Sequence, residues 1–195
     1  MQTDDRPKTL PGKLAFSRDL FVLLFLLRGM PFVDLAFLRR CDLQGNVITY
    51  HRRKTSRKLT VVVGKEAMEI IQKYMYAIPD SPYLFPIIQN PGKDEYGQYA
   101  RMLRLQNYRL TQVANILGIR DRLSTYTARH TWATTALRQN YNSSLICDAM
   151  GHSSVKVTET YFQPYRDDEV NRMNSSLITY ILSKKKRGTD KKIRS

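Results

Sequence analysis

The sequence is poor in the residues that mark several common functions. It has two cysteines, Cys41 and Cys147, far apart and with no CxxC or Cys/His cluster around them. Neither a zinc site nor a disulfide framework is suggested, and both are read as reduced structural thiols. Acidic residues are scarce, and no carboxylate cluster spaced to hold Mg²⁺ is visible. Long hydrophobic runs are absent as well. The most apolar stretch, LFVLLFLL at Leu20–Leu27, is too short to cross a bilayer and is followed by no small-residue cleavage site. It is read as a buried core helix, which leaves the cytoplasm as the default location and gives no sign of a membrane partner.

What the chain has in excess is positive charge. Lys and Arg number 32 against 17 Asp and Glu, a formal net charge of +15 over 195 residues. Such an excess repels itself in the compact state and points to a polyanionic partner. A nucleic acid comes first, and an anionic membrane surface would require the charge to lie along one amphipathic helix face. Here the basic residues are spread over the whole chain, as a broad phosphate-contacting surface requires.

The pattern along the chain predicts a mixed α/β domain, mainly helical with a small antiparallel sheet. Residues 1–13 read as a polar lead-in, 14–183 as the catalytic domain and 184–195 as a basic, disordered tail. A helix is expected from about Phe16 to Arg28, ended by Gly29, and a second opened by Pro31. Residues 46–63 alternate as a β-hairpin with a polar KTSR tip beside Lys54. Helices are expected over 65–77, over 93–118 with a break near Gly97, and over 125–139 with Thr125 as N-cap. Shorter ones follow at about 143–150 and 154–161, with Ser153 or Ser154 as cap, and an amphipathic helix at about 167–182.

Two segments carry the chemistry. In TYTARHTWATTAL, Tyr126, Arg129, His130, Ala133 and Leu137 share one helix face, expected to be buried. An arginine there needs an anionic partner, either a carboxylate in a buried ion pair or a phosphate held by the guanidinium fork. In GHSSVKVTETY, His152 is either a capping or core histidine or a functional one. Tyr161 is either a packed ring or a nucleophile.

Taken together, TARHTWATTAL followed by GHSSVKVTETY resembles the two C-terminal signature boxes of the tyrosine recombinase (phage integrase) family, with Tyr161 nine residues beyond His152. YHRRKTSRKLTV looks like the family's lysine-bearing hairpin, and LRGMPFVDLAFLRR like its first box, especially in integrases of Bacteroides-type mobile elements. The resemblance covers roughly residues 14–182. It implies a recombinase that cuts and rejoins DNA through a 3′-phosphotyrosyl bond to Tyr161. Arg129 and His152 would stabilise the phosphate charge and Lys54 would protonate the leaving 5′-oxygen, with no cofactor and no metal. Arg52, Arg53, Arg57 and Lys58, flanking the hairpin, are read as DNA backbone contacts or as a solvated charged face.

The chain departs from the family pattern twice. Tyr126 stands where a histidine usually lies, and Pro31 where the first arginine is expected. Arg28 is a candidate replacement for that arginine, or a helix-end residue favoured by the macrodipole. His130 is a candidate helper for Tyr126. Tyr165, outside the spacing, is a rival nucleophile. A topoisomerase of the same nucleophile type and a non-catalytic DNA-binding module remain alternatives. Implied partners are double-stranded DNA and, on DNA, further copies of the chain in a tetramer, with a monomer expected for an isolated fragment. The family's N-terminal clamp domain has no room before the first box, so the chain is expected to be a fragment. Its affinity for duplex DNA should be weak and should fall steeply, by about 10³-fold or more, between 50 and 200 mM salt. A fluorescence-anisotropy titration showing tight, salt-insensitive binding would contradict the charge argument.

Overall fold

Helix α1 (Gly12–Leu26) is the apolar run in folded form, and Leu20, Leu23, Leu24 and the following Leu27 are essentially sealed from solvent. Each such burial is worth ~1.5–3 kcal/mol, so α1 anchors the core. The computed structural model that gives this fold describes residues 10–161 and 171–179. The chain divides into two units, residues 1–161 and 162–195. The first unit is mainly helical with one small antiparallel sheet.

After α1 the chain turns through Arg28 and Gly29, both with positive φ, into the short helix α2 (Phe32–Ala36) opened by Pro31. A single 3-10 turn, Arg40–Asp42, leads into the sheet. This has three strands in the order β1 (Leu43–Gln44), β2 (Val47–His51) and β3 (Lys58–Val62), all antiparallel. The β2–β3 hairpin is the expected one, with Tyr50 opposite Leu59 and His51 opposite Lys58. Strand β1 was not anticipated, because two residues are too few to show alternation. Its one signal was the Gly45-Asn46 pair, a two-residue hairpin connection.

Three helices follow on this core: α3 (Lys65–Tyr74), α4 (Glu95–Leu117) and α5 (Thr125–Arg138). Helix α4 runs unbroken through Gly97. That glycine sits in the first turn, where its N–H is capped by Asp94 Oδ1 at 3.1 Å. A side chain there would collide with the Asp94 carboxylate. Helix α5 is capped by Ser124 and not by Thr125. Ser124 and Thr127 bond each other's backbone N–H as a capping box, while Thr125 is buried and donates its own N–H to Asn107 Oδ1 at 2.9 Å. Some polar groups inside the core find partners there, although Ser17 Oγ and Gln106 Oε1 have none among the described residues. Asp19 on α1 accepts from Lys73 Nζ (2.8 Å) and Tyr74 Oη (2.7 Å), and Gln106 donates to the Ser17 carbonyl at 2.7 Å.

The last elements of the first unit are α6 (Ser143–Met150) and α7 (Val155–Glu159), with Ser154 the N-cap of α7. Helix α7 stops short of Tyr161, which occupies the turn after it, its N–H on the Thr158 carbonyl at 3.1 Å. Ala133, Ile146, Met150 and Tyr161 form a second apolar cluster. Cys41 and Cys147 are both free thiols. In the second unit residues 171–179 are helical and exposed throughout. The expected flanks of that helix, the basic tail, Tyr165 and the first nine residues lie outside the described residues. Among the described residues no helix is long and apolar enough to cross a membrane.

Gly151 ends α6 in the left-handed region at φ +62°, and an added Cβ would lie 2.9 Å from Leu59 Cδ1 and 3.1 Å from Arg52 Cγ. Gly151→Ala should therefore cost about 1–3 kcal/mol. Urea unfolding monitored by circular dichroism checks this, and an unchanged midpoint would show that the turn is not constrained.

Candidate active site

The carbonyl end of α6 is where the basic side chains converge. A helix C-terminus carries partial negative charge on unpaired carbonyls, and cations collect there. Arg129, on the buried face of α5, sends Nη2 to the Met150 carbonyl (3.0 Å) and Nη1 to the Gly29 carbonyl (2.5 Å). Arg52, from the end of β2, donates to the same Met150 carbonyl and, at 3.2 Å, to Gly151. Its Nε lies 2.7 Å from Asp34 Oδ2 on α2.

Arg52 is only 6% exposed, which corrects its expected place on a solvated, DNA-facing hairpin edge. The alternation of β2 points it inward, and the buried Asp34 carboxylate draws it there. Arg129 makes no ion pair with a carboxylate among the described residues, so the buried salt bridge considered for it is not what holds it. Burial and the neighbouring Arg52 charge pull its pKa down, and the adjacent Tyr161 hydroxyl opposes them. Burial pushes the Asp34 carboxyl up, offset in part by the Arg53 N–H and by Arg52 and Arg129.

His152 sits against this pair. Its Nε2 is 2.7 Å from Arg129 Nη2 and its Nδ1 2.8 Å from Thr158 Oγ1. A guanidinium only donates, so Nε2 must accept and Nδ1 must carry the proton toward Thr158. Burial first, and then the charges of Arg129, Arg52 and Lys54, lower its pKa to about 4. The ring is therefore neutral at physiological pH, and its lone pair is spent on holding the Arg129 guanidinium. Thr158, fully buried, is a site residue that the sequence did not single out. It is also three residues before Tyr161, so α7 sets both.

Tyr161 lies on the other face of the imidazole, the two rings parallel within 5° with centroids 6.0 Å apart. The His130 ring meets it edge-on at 5.4 Å. Tyr126 donates its hydroxyl hydrogen to the Tyr161 oxygen at 3.2 Å. That bond, then burial, pushes the Tyr126 pKa up to about 12, so Tyr126 is a protonated donor at neutral pH. The helix face named from sequence is thus divided. Arg129 and Ala133 are buried, whereas Tyr126 is 59% exposed and His130 is exposed too. The buried stripe runs through Thr125, Ala128, Arg129 and Ala133, and the two exposed rings border the nucleophile candidate from outside.

The remaining candidates separate. Lys54 is exposed at the hairpin tip, close enough for its charge to act on His152. Arg53 lies over the Phe37 ring at 3.8 Å and donates its backbone N–H to Asp34. Arg57 straps the hairpin to α6 through Asp148 (2.9 Å) and the His152 carbonyl (3.2 Å). Lys58 is exposed at the start of β3. Arg28 donates to the Thr60 carbonyl on β3 at 3.2 Å. Tyr50 is a buried residue of β2, with its hydroxyl in the field of Asp34, Arg52, Arg129 and Arg28.

With its pKa near 4, His152 should stay neutral well below the ordinary histidine range. Its stabilising effect on the fold is complete above the unfolded value of about 6.5 and is lost as pH falls through about 4, because the unfolded chain then binds the extra proton. Carbon–proton correlation spectra recorded from pH 7.5 to 3.5 should show the His152 imidazole gaining its proton only near pH 4. An imidazole of His152 titrating at 6 or above would contradict the tautomer assigned here.

The chain is similar to known proteins in sequence and in fold. Residues 5–167 match the phage integrase family. Over 163 residues the chain is 26% identical to the tyrosine recombinase XerC of Thermodesulfovibrio yellowstonii, covering 76% of this chain and 51% of that protein. A 60-residue stretch, 31% of this chain and 21% of the relative, is 32% identical to a tyrosine recombinase of Pseudothermotoga lettingae. The chain thus spans at most about half the length of these curated relatives. Its fold is similar to that of the Tn1549 transposon integrase solved with a circular intermediate DNA, with a TM-score of 0.62, 18% identity and coverage of 90% of this chain and 68% of that one. It is also similar to that of the XerA recombinase, with a TM-score of 0.57, 19% identity and coverage of 90% and 65%. With one family spanning residues 5–167 and the family's fold around the Arg129–His152–Tyr161 cluster, the chain belongs to the phage integrase family of tyrosine recombinases.

Proposed function

We propose that this chain is the catalytic part of a site-specific DNA recombinase or integrase that cuts and rejoins double-stranded DNA through Tyr161. One observation carries this: the Tyr161 hydroxyl lies beside the buried Arg129 guanidinium, its ring stacked on the imidazole that holds that guanidinium.

Tyr161 Oη attacks the scissile phosphorus. The Oη–P bond forms, the P–O5′ bond breaks, and a 3′-phosphotyrosine and a free 5′-hydroxyl result. The attack splits strand exchange into two related transfers and conserves the phosphoester, so no energy-rich cofactor is called for. Arg129 binds the non-bridging oxygens, where negative charge grows in the transition state. His152, neutral, keeps the fork in place. Tyr126 donates to the nucleophile's oxygen, favouring its phenolate form as the Tyr161 proton passes to solvent water. Lys54, on the exposed hairpin tip, supplies the proton to the leaving 5′-oxygen. Arg53 and Lys58 extend the basic surface toward the DNA backbone. On DNA the protein acts as a tetramer in the cytoplasm. The exposed Met173, Leu177 and Ile178 of the 171–179 helix supply an apolar stripe suited to a neighbouring copy.

The test is a pool of nicked duplexes with randomised sequence around the nick, incubated with this chain and resolved in SDS. The wild type should form an SDS-resistant adduct, whose recovered DNA defines the preferred site, and Tyr161→Phe should form none. Tyr126→Phe, missing one hydrogen bond to the nucleophile, should slow adduct formation about tenfold. A folded wild type that binds duplex DNA and never forms the adduct would favour the non-catalytic binding module. Relaxation of supercoiled plasmid without strand exchange would favour a topoisomerase.

A further inference from the structure

The hairpin tip that carries Lys54 is bonded to itself. Arg52 donates its N–H to the Arg57 carbonyl at 2.9 Å, and Ser56, in the left-handed region at φ +54°, donates its N–H to the Arg52 carbonyl at 2.8 Å. A tip closed in this way moves as one body, so a group that pins Arg57 also fixes where Lys54 stands. The tip is in turn bound to the turn between α6 and α7. Arg57 donates from Nη1 to the His152 carbonyl at 3.2 Å and from Nη2 to Asp148 Oδ1 at 2.9 Å. Thr55 Oγ1 donates to the Gly151 carbonyl at 3.4 Å.

We infer that Arg57 and Asp148 form a latch, two positioning residues that hold the hairpin tip against the α6–α7 turn and so keep Lys54 in place to protonate the leaving oxygen; this rests on the recombinase reading above. Both terminal nitrogens of Arg57 are engaged by the protein's own groups, and Asp148 neutralises its charge. A carboxylate beside a guanidinium meant for DNA would repel the phosphate, whereas a latch requires one. The ion pair is partly exposed and weak by itself. It works together with the bonds that Arg57 and Thr55 make to the backbone of the same turn. The charge of Lys54 is felt at His152, as a closed tip requires. His152, whose carbonyl the latch grips, is followed directly by the segment that carries Tyr161. One arginine thus registers the proton donor against the nucleophile.

Duplexes of the site recovered from the nicked pool are made with either the natural 5′-oxygen or a bridging 5′-sulfur at the scissile position. Sulfur leaves as a thiolate and needs no proton, so a fault in proton delivery disappears on it. A fault in folding, DNA binding or phosphate charge does not. Lys54→Ala sets the scale, with a loss of about 100-fold on oxygen and near wild-type rates on sulfur. At saturating duplex, Arg57→Ala should lose about tenfold in adduct rate on oxygen and stay within about twofold of wild type on sulfur. Asp148→Asn should lose about threefold on oxygen, the scale of an exposed ion pair. The swapped pair Arg57→Asp with Asp148→Arg should react faster than Arg57→Asp alone. Should Arg57→Ala fail to fold, Arg57→Lys and Asp148→Asn are compared on the same two substrates.

Equal losses on both substrates would make Arg57 a structural prop or a DNA contact and overturn the latch. So would an Asp148→Asn variant faster than wild type, since it would show a guanidinium freed for phosphate. If the wild type forms no adduct on either duplex, the recombinase reading fails and the latch falls with it. If sulfur does not rescue Lys54→Ala, the acid role of Lys54 fails, again with the latch. If sulfur rescues Lys54→Ala and not Arg57→Ala, the latch alone fails.

Discussion

One backbone carbonyl organises the site. Met150 O, at the end of α6, receives the guanidiniums of both Arg52 and Arg129. Through it the β2–β3 hairpin, helix α5 and the α6–α7 segment meet. The Gly29 carbonyl brings the α1–α2 turn to the same point. Like charges would not gather in a dry pocket unaided. They gather because a helix end offers carbonyls, because Asp34 supplies one countercharge, and because His152 stays neutral and gives its lone pair to Arg129. Each partner depends on the others. A charged His152 would add to an already positive pocket, and a lost Asp34 would leave Arg52 unpaired.

The same constraint positions Tyr161. Helix α7 is only five residues long, yet Thr158 on it fixes the imidazole through Nδ1 and the following turn sets the tyrosine against the ring's other face. Tyr161 is thus tied to the guanidinium by one imidazole and one threonine. Tyr126 and His130 border it from the exposed side of α5, where DNA would approach. The site is therefore split into a buried half of guanidiniums and imidazole and an accessible half bordered by two exposed rings.

Much of this was legible in the sequence, and what was not has physical reasons. The β2–β3 hairpin showed its alternation, α1 its apolar run, and the Arg129, His152 and Tyr161 motifs their spacing. Arg52 was misjudged because a charged residue near a hairpin tip usually faces solvent; only the folded chain brings Asp34 from α2 beneath it. Thr158 was silent because a threonine in a short helix gives no sign of accepting from a histidine. The one-sided face assigned to α5 failed at Tyr126 and His130, since that helix packs along a narrower stripe through Thr125, Ala128, Arg129 and Ala133 and leaves those two rings outside it. Ser124 was passed over as cap because Thr125 is an equally good capping type, and the choice depended on Asn107 reaching Thr125 from α4.

The most direct check of the account is a crystal structure of this chain on a duplex of its selected site, with Tyr161→Phe to halt the reaction. The account predicts a scissile phosphate whose non-bridging oxygens lie within hydrogen-bond distance of the Arg129 guanidinium, with the residue 161 ring directed at the phosphorus, so that its hydroxyl would sit roughly 3–3.5 Å away and in line with the leaving oxygen. A phosphate bound elsewhere, or a residue 161 ring turned into a pocket separate from Arg129, would contradict it.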